Sequence, residues 1–401
     1  MSYVRMMSAV WLTFKDNISN PLFLYFFTAM KIGIMTRWCS FNYGTNLQLF
    51  ALYHFLKGAG HSPFLIRYYQ GDFVHNLAPN SVYGNDEVPL MKYLSTFFFM
   101  PMEFYTRQIE TFIDRFFDVS SRVYQSGEDL VKQPPEADVY ISGSDQVWNF
   151  WSQPISVIRA EAQAQLLHFG ADSVKRLSFA ASFGNQTLAN GYKEMFTEAF
   201  RKFDYISVRE KAAMALCEEC GVIAPEWVPD PTLLLPAKKY LELLPDDKKE
   251  ERPQKPYVFL YLLNQNQVAI EQAQKIAQDR NCELRIVGSN LASFLSIPGL
   301  TISATVPQFI HLIANADYVL TDSFHGTAFS LIFNRQFANL PSPQRNAADT
   351  RFQSIFELLR VQPRTIGDDF VLPNNLDYTS INEAFDGIHS QYCADWFNEK
   401  I

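Results

Sequence analysis

The sequence predicts an α/β protein built as two doubly wound domains facing a cleft. Three observations carry that reading. Short apolar runs alternate with amphipathic helical patterns along most of the chain, as βαβ units and parallel sheets require. The 401 residues exceed the size at which a single core stops growing, about 250–300 residues, so two cores are expected. A stretch with eight charges in ten residues, DDKKEERPQK, lies between Pro245 and Pro256 and reads as a solvated link between the halves.

The elements follow in order. Ile32–Met35 is a short apolar run and the first expected strand. Asn46–Lys57 places Leu47, Phe50, Ala51, Tyr53 and Phe55 at helical spacing. Further strands are expected at Phe64–Tyr68, Asp138–Ser142, Arg176–Ser182, Asp204–Val208 and Val222–Val228. After the link, strands at Tyr257–Leu262, Glu283–Val287, Asp317–Thr321 and Gln336–Leu340 alternate with helices at Val268–Arg280, from Pro307, and at Gly326–Asn334. Thr305-Val306-Pro307-Gln308 fits a capping box with proline in the first turn. The domains are therefore expected at 30–240 and 257–365, joined by 241–256, with 366–401 as a tail returning to the first domain.

Two aromatic segments depart from the pattern. Residues 91–117 hold Phe97, Phe98, Phe99, Phe104, Phe112, Phe116 and Phe117 without a strand signal, and read as a helical insertion. Such an insertion is either a core-packing hairpin or an apolar lid over a ligand or lipid surface, with the core reading slightly favoured. Residues 1–29 contain the run PLFLYFFTAM, shorter than the roughly 20 apolar residues that span a bilayer. They read as an upstream extension, since the domain pattern starts cleanly at Lys31, or as a short aromatic helix that docks on the body or a membrane.

Composition narrows the function. Asp and Glu outnumber Lys and Arg by 42 to 34, and a net charge of −8 repels phosphate backbones, which argues against nucleic acid as a partner. Five cysteines are too few and too odd for a disulfide framework, so a reducing, cytoplasmic compartment is expected. Cys217 and Cys220 have the spacing of a metal or redox pair, but no second pair or nearby histidine supports it, so no metal site is assigned. There is no GxGxxG after a strand, and no Walker, HExxH or GxSxG motif.

Ligands of open α/β sheets bind beyond the carboxyl ends of the strands, facing helix N-termini. The residues at those places are polar: Gly44 and Asn46 after the first strand, Ser144 and Asp145 after Asp138–Ser142, Arg209 after Asp204–Val208, and Ser323-Phe324-His325-Gly326-Thr327 after Asp317–Thr321. His325 lies where strand gives way to helix, and Gly326 permits a tight turn and close ligand approach. Thr327 and the amides after it would face an anion. Arg209 ends an apolar strand, so its guanidinium is expected in the cleft, suited to a carboxylate or phosphate. Asp145 accepts a hydroxyl proton, hydrogen-bonds a sugar, or caps a helix beside Ser144.

The segments NYGTNLQLFALYHFLKGAGH, GSDQVWN, SFAASFG, SVRE, DPTLLL and ADYVLTDSFHGTAFSLIFNRQF, in that order from Lys31 to about Leu359, resemble the polysaccharide pyruvyl transferase family. DSFHG followed by a helix is the most specific of them. The resemblance implies two Rossmann-like domains in a GT-B-like arrangement. It implies transfer of a pyruvyl group from phosphoenolpyruvate to two hydroxyls of a cell-surface polysaccharide or a lipid-linked precursor. His325 would be the general acid, Arg209 a donor contact, and the donor a substrate with no further cofactor. Many members carry Arg where this chain has Ser323; either Arg345 or Arg351, in the loop after Gln336–Leu340, is the substitute cation, or this branch uses a different donor. The setting implied is the inner face of the membrane, with peripheral contact, and a homo-oligomer is left open. Two rivals stand: a GT-B glycosyltransferase using a nucleotide-sugar, and a non-catalytic glycan- or anion-binding protein.

Overall fold

The computed structural model describes residues 28–40, 42–69, 106–150, 153–184, 187–249, 251–263, 266–288, 304–341, 350–366 and 371–401. Residues 1–27 and 70–105, and with them most of the two aromatic segments, lie outside the described residues.

Two parallel sheets form. The first contains β1 (Lys31–Met35), β2 (Ser62–Leu65), β3 (Val139–Ser142), β4 (Lys175–Ala181), β5 (Tyr205–Val208) and β6 (Glu226–Trp227), in the order β2-β1-β3-β4-β5-β6. The second contains β7 (Tyr257–Leu262), β8 (Glu283–Gly288), β9 (Tyr318–Thr321) and β10 (Gln336–Asn339), in the order β10-β9-β7-β8. The central strands β3 and β7 are buried at every position, as parallel strands covered by helices on both faces must be.

Two strands differ from the sequence expectation for local reasons. The second strand starts at Ser62 and ends at Leu65; Leu65 itself bridges Val119, and beyond the strand Tyr68 bridges Tyr124. The run Val222–Val228 reduces to Glu226–Trp227, because Gly221 and Ala224 take positive φ and turn the chain. The Thr305 capping box is present, with the Gln308 amide donating to Thr305 Oγ1 at 3.3 Å and the Thr305 amide to Gln308 Oε1 at 2.8 Å.

The helix Tyr43–Gly58 is the hinge of the packing. It is apolar nearly all round, and so it is buried nearly all round. It touches the short turn Pro231–Leu234, the second-domain helices Val306–Ala314 and Phe324–Ile332, and the terminal helix Ala394–Asn398. One apolar core therefore runs from Ile32 and Leu47 through Tyr257 and Phe309 to Phe329. The terminal helices Thr379–Gln391 and Ala394–Asn398 close over the first domain. There the Phe397 ring lies 5.9 Å from Phe55, and His61 Nε2 sits 2.7 Å from Asn398 Oδ1. In the connection, Leu243 and Leu244 are buried and belong to the core, while Glu242 and the residues from Pro245 to Lys249 are exposed. Residues 106–116 are helical, with Phe112 and Phe117 in the core and Phe116 half-buried.

Candidate functional site

Each sheet reverses its strand order once, between β1 and β3 and between β7 and β9. Such reversal points open a crevice at the carboxyl ends of the strands. Here the two reversal points face each other. Across the junction Tyr43 stacks on Phe309 at 4.6 Å and donates its hydroxyl to the Ala304 carbonyl at 2.8 Å. Tyr261, near the end of β7, donates to Asn42 Oδ1 at 3.2 Å.

The helix Phe324–Ile332 springs from β9 with Ser323 as its N-cap, its Oγ accepting from the Gly326 amide at 3.2 Å. Thr321 Oγ1 donates to the Tyr261 carbonyl at 2.7 Å and accepts from the Ser323 amide at 3.0 Å. A Cβ on Gly326 would stand 2.4 Å from that same Oγ1, so glycine is required by close approach. Thr327 donates its hydroxyl to the Ser323 carbonyl at 3.1 Å and accepts from Asn339 Nδ2 at 2.6 Å. Its amide bonds the Ser323 carbonyl at 3.0 Å. The expectation that Thr327 and the amides after it face an anion is corrected at Thr327, whose amide and hydroxyl both bond the Ser323 carbonyl. What the turn does is present His325 from the first helical turn.

His325 is 3% exposed. Its Nδ1 edge abuts Gly44, where an added Cβ would fall 2.1 Å away. Its Nε2 stands 3.6 Å from Asp230 Oδ2, an ion-pair distance too long for a hydrogen bond. A Gly44→Ala variant is therefore expected to push the imidazole off its position. Overpacking of this kind costs about 1–3 kcal/mol, and turnover should fall well beyond the loss in folded protein. An unchanged rate in a stable Gly44→Ala protein would show that the ring has no fixed place.

Asp230 gathers the rest of the centre. Its Oδ2 accepts from Ser144 Oγ at 3.0 Å and from Arg209 Nη1 at 2.9 Å, and its Oδ1 accepts the Thr232 amide and hydroxyl at 2.9 and 2.8 Å. Arg209 Nη1 also lies 3.8 Å from Asp145 Oδ1, while its Nε donates to Glu210 Oε1 at 3.1 Å. The Phe324 ring sits 4.6 Å from the guanidinium carbon. The expectation that Arg209 projects into a cleft is corrected here as well. It is 2% exposed, because three carboxylates and an aromatic face hold it inside.

Asp145 adopts φ of 73°, a left-handed conformation that Asp tolerates better than most residues. Its Oδ2 accepts from Thr45 Oγ1 at 2.7 Å. Burial alone would raise both carboxyl pKa values. For Asp145 the charge of Arg209, then His325 and the Thr45 hydroxyl, outweigh burial and lower it. For Asp230 the neighbouring His325, then Arg209 and the Thr232 amide, hold it far below the usual carboxylate range. Burial works against the charge of Arg209 too, but Glu210, Asp230 and Asp145 more than compensate and raise its pKa.

The structure thus brings His325, Asp145, Arg209, Ser144, Phe324 and Gly44 into one buried centre. Asn46 lies two residues beyond Gly44 on the same helix, its Nδ2 donating to the Ser40 carbonyl at 3.1 Å while its Oδ1 is buried without a partner. Arg345 lies outside the described residues. Cys217 and Cys220 are buried free thiols in a separate core, both pushed up by burial. Sequence reasoning missed Asp230, the hub, along with Thr45 and Thr232. The available signal was the polar Asp-Pro-Thr directly after an apolar strand, in a segment read only as a motif.

Fold and site define a two-domain α/β protein whose facing strand ends enclose a histidine, an arginine and three carboxylates. The chain belongs to the polysaccharide pyruvyl transferase family, whose sequence profile matches residues 42–342. It is accordingly a transferase of polysaccharide biosynthesis, with a sugar or polysaccharide acceptor. No curated protein matches the chain significantly. Among solved structures it is similar to UDP-GlcNAc 2-epimerase from Neisseria meningitidis, at 12% identity and TM-score 0.44, over 92% of this chain and 93% of that one. The glycosyltransferase SnogD from Streptomyces nogalater is similar at 13% identity and TM-score 0.38, over 93% and 98%. The heptosyltransferase WaaC of E. coli is similar at 13% identity and TM-score 0.34, over 80% and 91%. Likenesses of this size carry nothing over to this chain. Among the described residues no helix is long and apolar enough to cross a membrane.

Proposed function

We propose that the protein moves a pyruvyl group from phosphoenolpyruvate onto two hydroxyls of a sugar, closing a cyclic ketal on a polysaccharide or its lipid-linked precursor at the cytoplasmic face of the membrane. The observation that supports this most is His325. Its Nε2 is buried without a hydrogen-bond partner, beside an ionised carboxylate, in a chain of this family. A positioned imidazole of that kind is what the general acid of the slow step requires.

In the reaction His325 delivers a proton to the methylene carbon of the enol phosphate. The cation formed at the neighbouring carbon is taken by the first sugar hydroxyl. Phosphate departs, and the second hydroxyl closes the ring. Of the two hydroxyl protons, one replaces the proton now in the methyl group and the other leaves with phosphate. Asp145 is ionised and a weak base, so its role is to accept a hydrogen bond from the acceptor rather than to remove a proton early. Phosphoenolpyruvate is a substrate, and the reaction so written draws on no cofactor.

Three carboxylates, Asp145, Glu210 and Asp230, face one guanidinium in the centre. A multiply charged donor therefore needs a cation from outside it. Arg345, which follows β10 in the sequence, is the proposed source, because Ser323 is committed to capping its helix. Ser144, Gly44, Asn46, Phe324, Gly326 and Thr327 then shape the surroundings of donor and acceptor.

The test is a donor survey with crude glycan as acceptor. Phosphate release from phosphoenolpyruvate is expected. Consumption of a nucleotide-sugar with no phosphate released would replace this reading with a glycosyltransferase. A second measurement bears on Arg209. Lysine cannot span Asp230 and Glu210 as the guanidinium does, so Arg209→Lys should weaken phosphoenolpyruvate binding by about ten-fold, the effect of losing roughly 1.4 kcal/mol. Calorimetry that finds equal affinity removes Arg209 from the donor site.

A further inference from the structure

One buried amide stands behind two carboxylates of the centre. Gln48, on the helix Tyr43–Gly58, has no exposed surface. Its Nε2 donates to Thr36 Oγ1 at 3.1 Å and to the Thr45 carbonyl at 2.9 Å. A carbonyl can only accept, and the single hydrogen of the Thr36 hydroxyl goes to the Ser144 carbonyl at 3.2 Å. Both neighbours therefore require the amino end of the amide, which fixes its orientation. Its Oε1 has no hydrogen-bond partner among the described residues.

Each bond runs on to a carboxylate. Thr45 donates its hydroxyl to Asp145 Oδ2 at 2.7 Å, and Ser144 donates its own to Asp230 Oδ2 at 3.0 Å. The Thr36 bond to the Ser144 carbonyl fixes the backbone from which that second hydroxyl projects. Thr36 follows β1, Thr45 lies in the first turn of the helix, and Ser144 and Asp145 are neighbours in the loop after β3. Gln48 thus joins three segments at the places where their hydroxyls meet Asp145 and Asp230. A donor bonded through both hydrogens in a buried network rigidifies what it touches.

We propose that Gln48 is a positioning residue: through Thr45 and Thr36 it holds Asp145 and Asp230 in register with each other and with His325. Fully buried behind them, it acts through those hydroxyls rather than on a substrate. The inference rests on the pyruvyl transfer reading for the reaction that is timed, whereas the arrangement it asserts is independent of the donor.

Gln48→Met keeps the length of the side chain and removes both donors. Phosphate release from phosphoenolpyruvate, with crude glycan as acceptor, should fall about ten- to 10²-fold in kcat, the scale of a displacement of about 1 Å. KM should stay within about two-fold, as for a residue whose effect is on the transition state. Losing an acceptor with no described partner strands no donor, so the urea midpoint should shift little. Thr45→Val cuts the Asp145 branch alone. Combined with Gln48→Met it should cost less than the product of the two single losses, because both act through one hydroxyl.

The acid profile of stability gives a readout without substrate. The Thr45 hydroxyl helps to hold Asp145 below its ordinary pKa, and the charges of Arg209, His325 and Arg37 around the two carboxylates are left in place by the substitution. The stability carried by a depressed carboxylate is complete above about pH 4 and is lost below it. With the depression weakened there is less to lose, so Gln48→Met should destabilise less steeply than wild type on acidification. Near-normal kcat in the folded variant overturns the proposal. So does a loss of rate matched by a loss of stability with an unchanged acid profile, which marks Gln48 as packing alone. If wild type consumes a nucleotide-sugar and releases no phosphate from phosphoenolpyruvate, the pyruvyl transfer reading falls alone. Gln48 is then judged by the same ratios on that turnover, and by the acid profile.

Discussion

Replacing His325 by alanine is expected to lower pyruvyl transfer by about 10²–10⁴-fold, the usual contribution of a positioned general acid. The fold should survive. Among the described residues His325 Nε2 has no hydrogen-bond partner, and the helix it sits on is started by Ser323 and Thr321 instead. The space left beside Gly44 is polar on one side, so water can enter it. His325→Gln keeps an amide near Asp230 but cannot donate an acid proton, so it should resemble the alanine variant in rate while binding donor better. The measurement is single-turnover phosphate release together with circular dichroism. Near-normal turnover in a folded His325→Ala protein would falsify the assignment.

Asp230→Asn should have the largest effect on stability. The carboxylate is fully buried and holds Arg209, Ser144 and Thr232 together. Removing one partner of a buried pair leaves an uncompensated charge and costs about 3–5 kcal/mol. Asp145 and Glu210 remain near Arg209 and place the expected loss toward the lower end of that range. The same residue sets a pH dependence. Its pKa is depressed in the folded protein, so its contribution is complete above the unfolded-state value of about 3.9. It is lost progressively as pH falls below that value toward the folded one. Wild type should therefore destabilise steeply on acidification below about pH 4, and Asp230→Asn less steeply. Denaturant titrations at several pH values decide it: parallel acid profiles for the two proteins would mean that Asp230 is not the coupled group.

Much of the architecture was legible because its causes are local. The alternation of apolar strands such as Tyr257–Leu262 with helical patterns reports parallel sheets, since a strand covered on both faces must be apolar throughout. The turn at Ser323–Thr327 was legible for the same reason, since a polar pair and a glycine at the end of an apolar strand mark a helix start there. Helix starts were less exact. The Tyr43–Gly58 helix begins three residues before the apolar periodicity does, because Asn42 caps it and Gly44, Thr45 and Asn46 fill its first turn.

By itself, then, the sequence determined two parallel α/β halves, the family, and the strand ends at which polar residues gather. Only the tertiary structure decided how those residues meet. Asp230 was one motif residue among many until β5 and β6 brought it beneath Arg209 and His325. Arg209 was expected to reach outward, and it turned inward because Asp145 and Asp230, from two separate segments, join its own neighbour Glu210 around it. Periodicity and capping act over a few residues and leave a trace in the local pattern. The charge on a buried group is settled by whichever distant residues pack around it, and no stretch of sequence contains that neighbourhood.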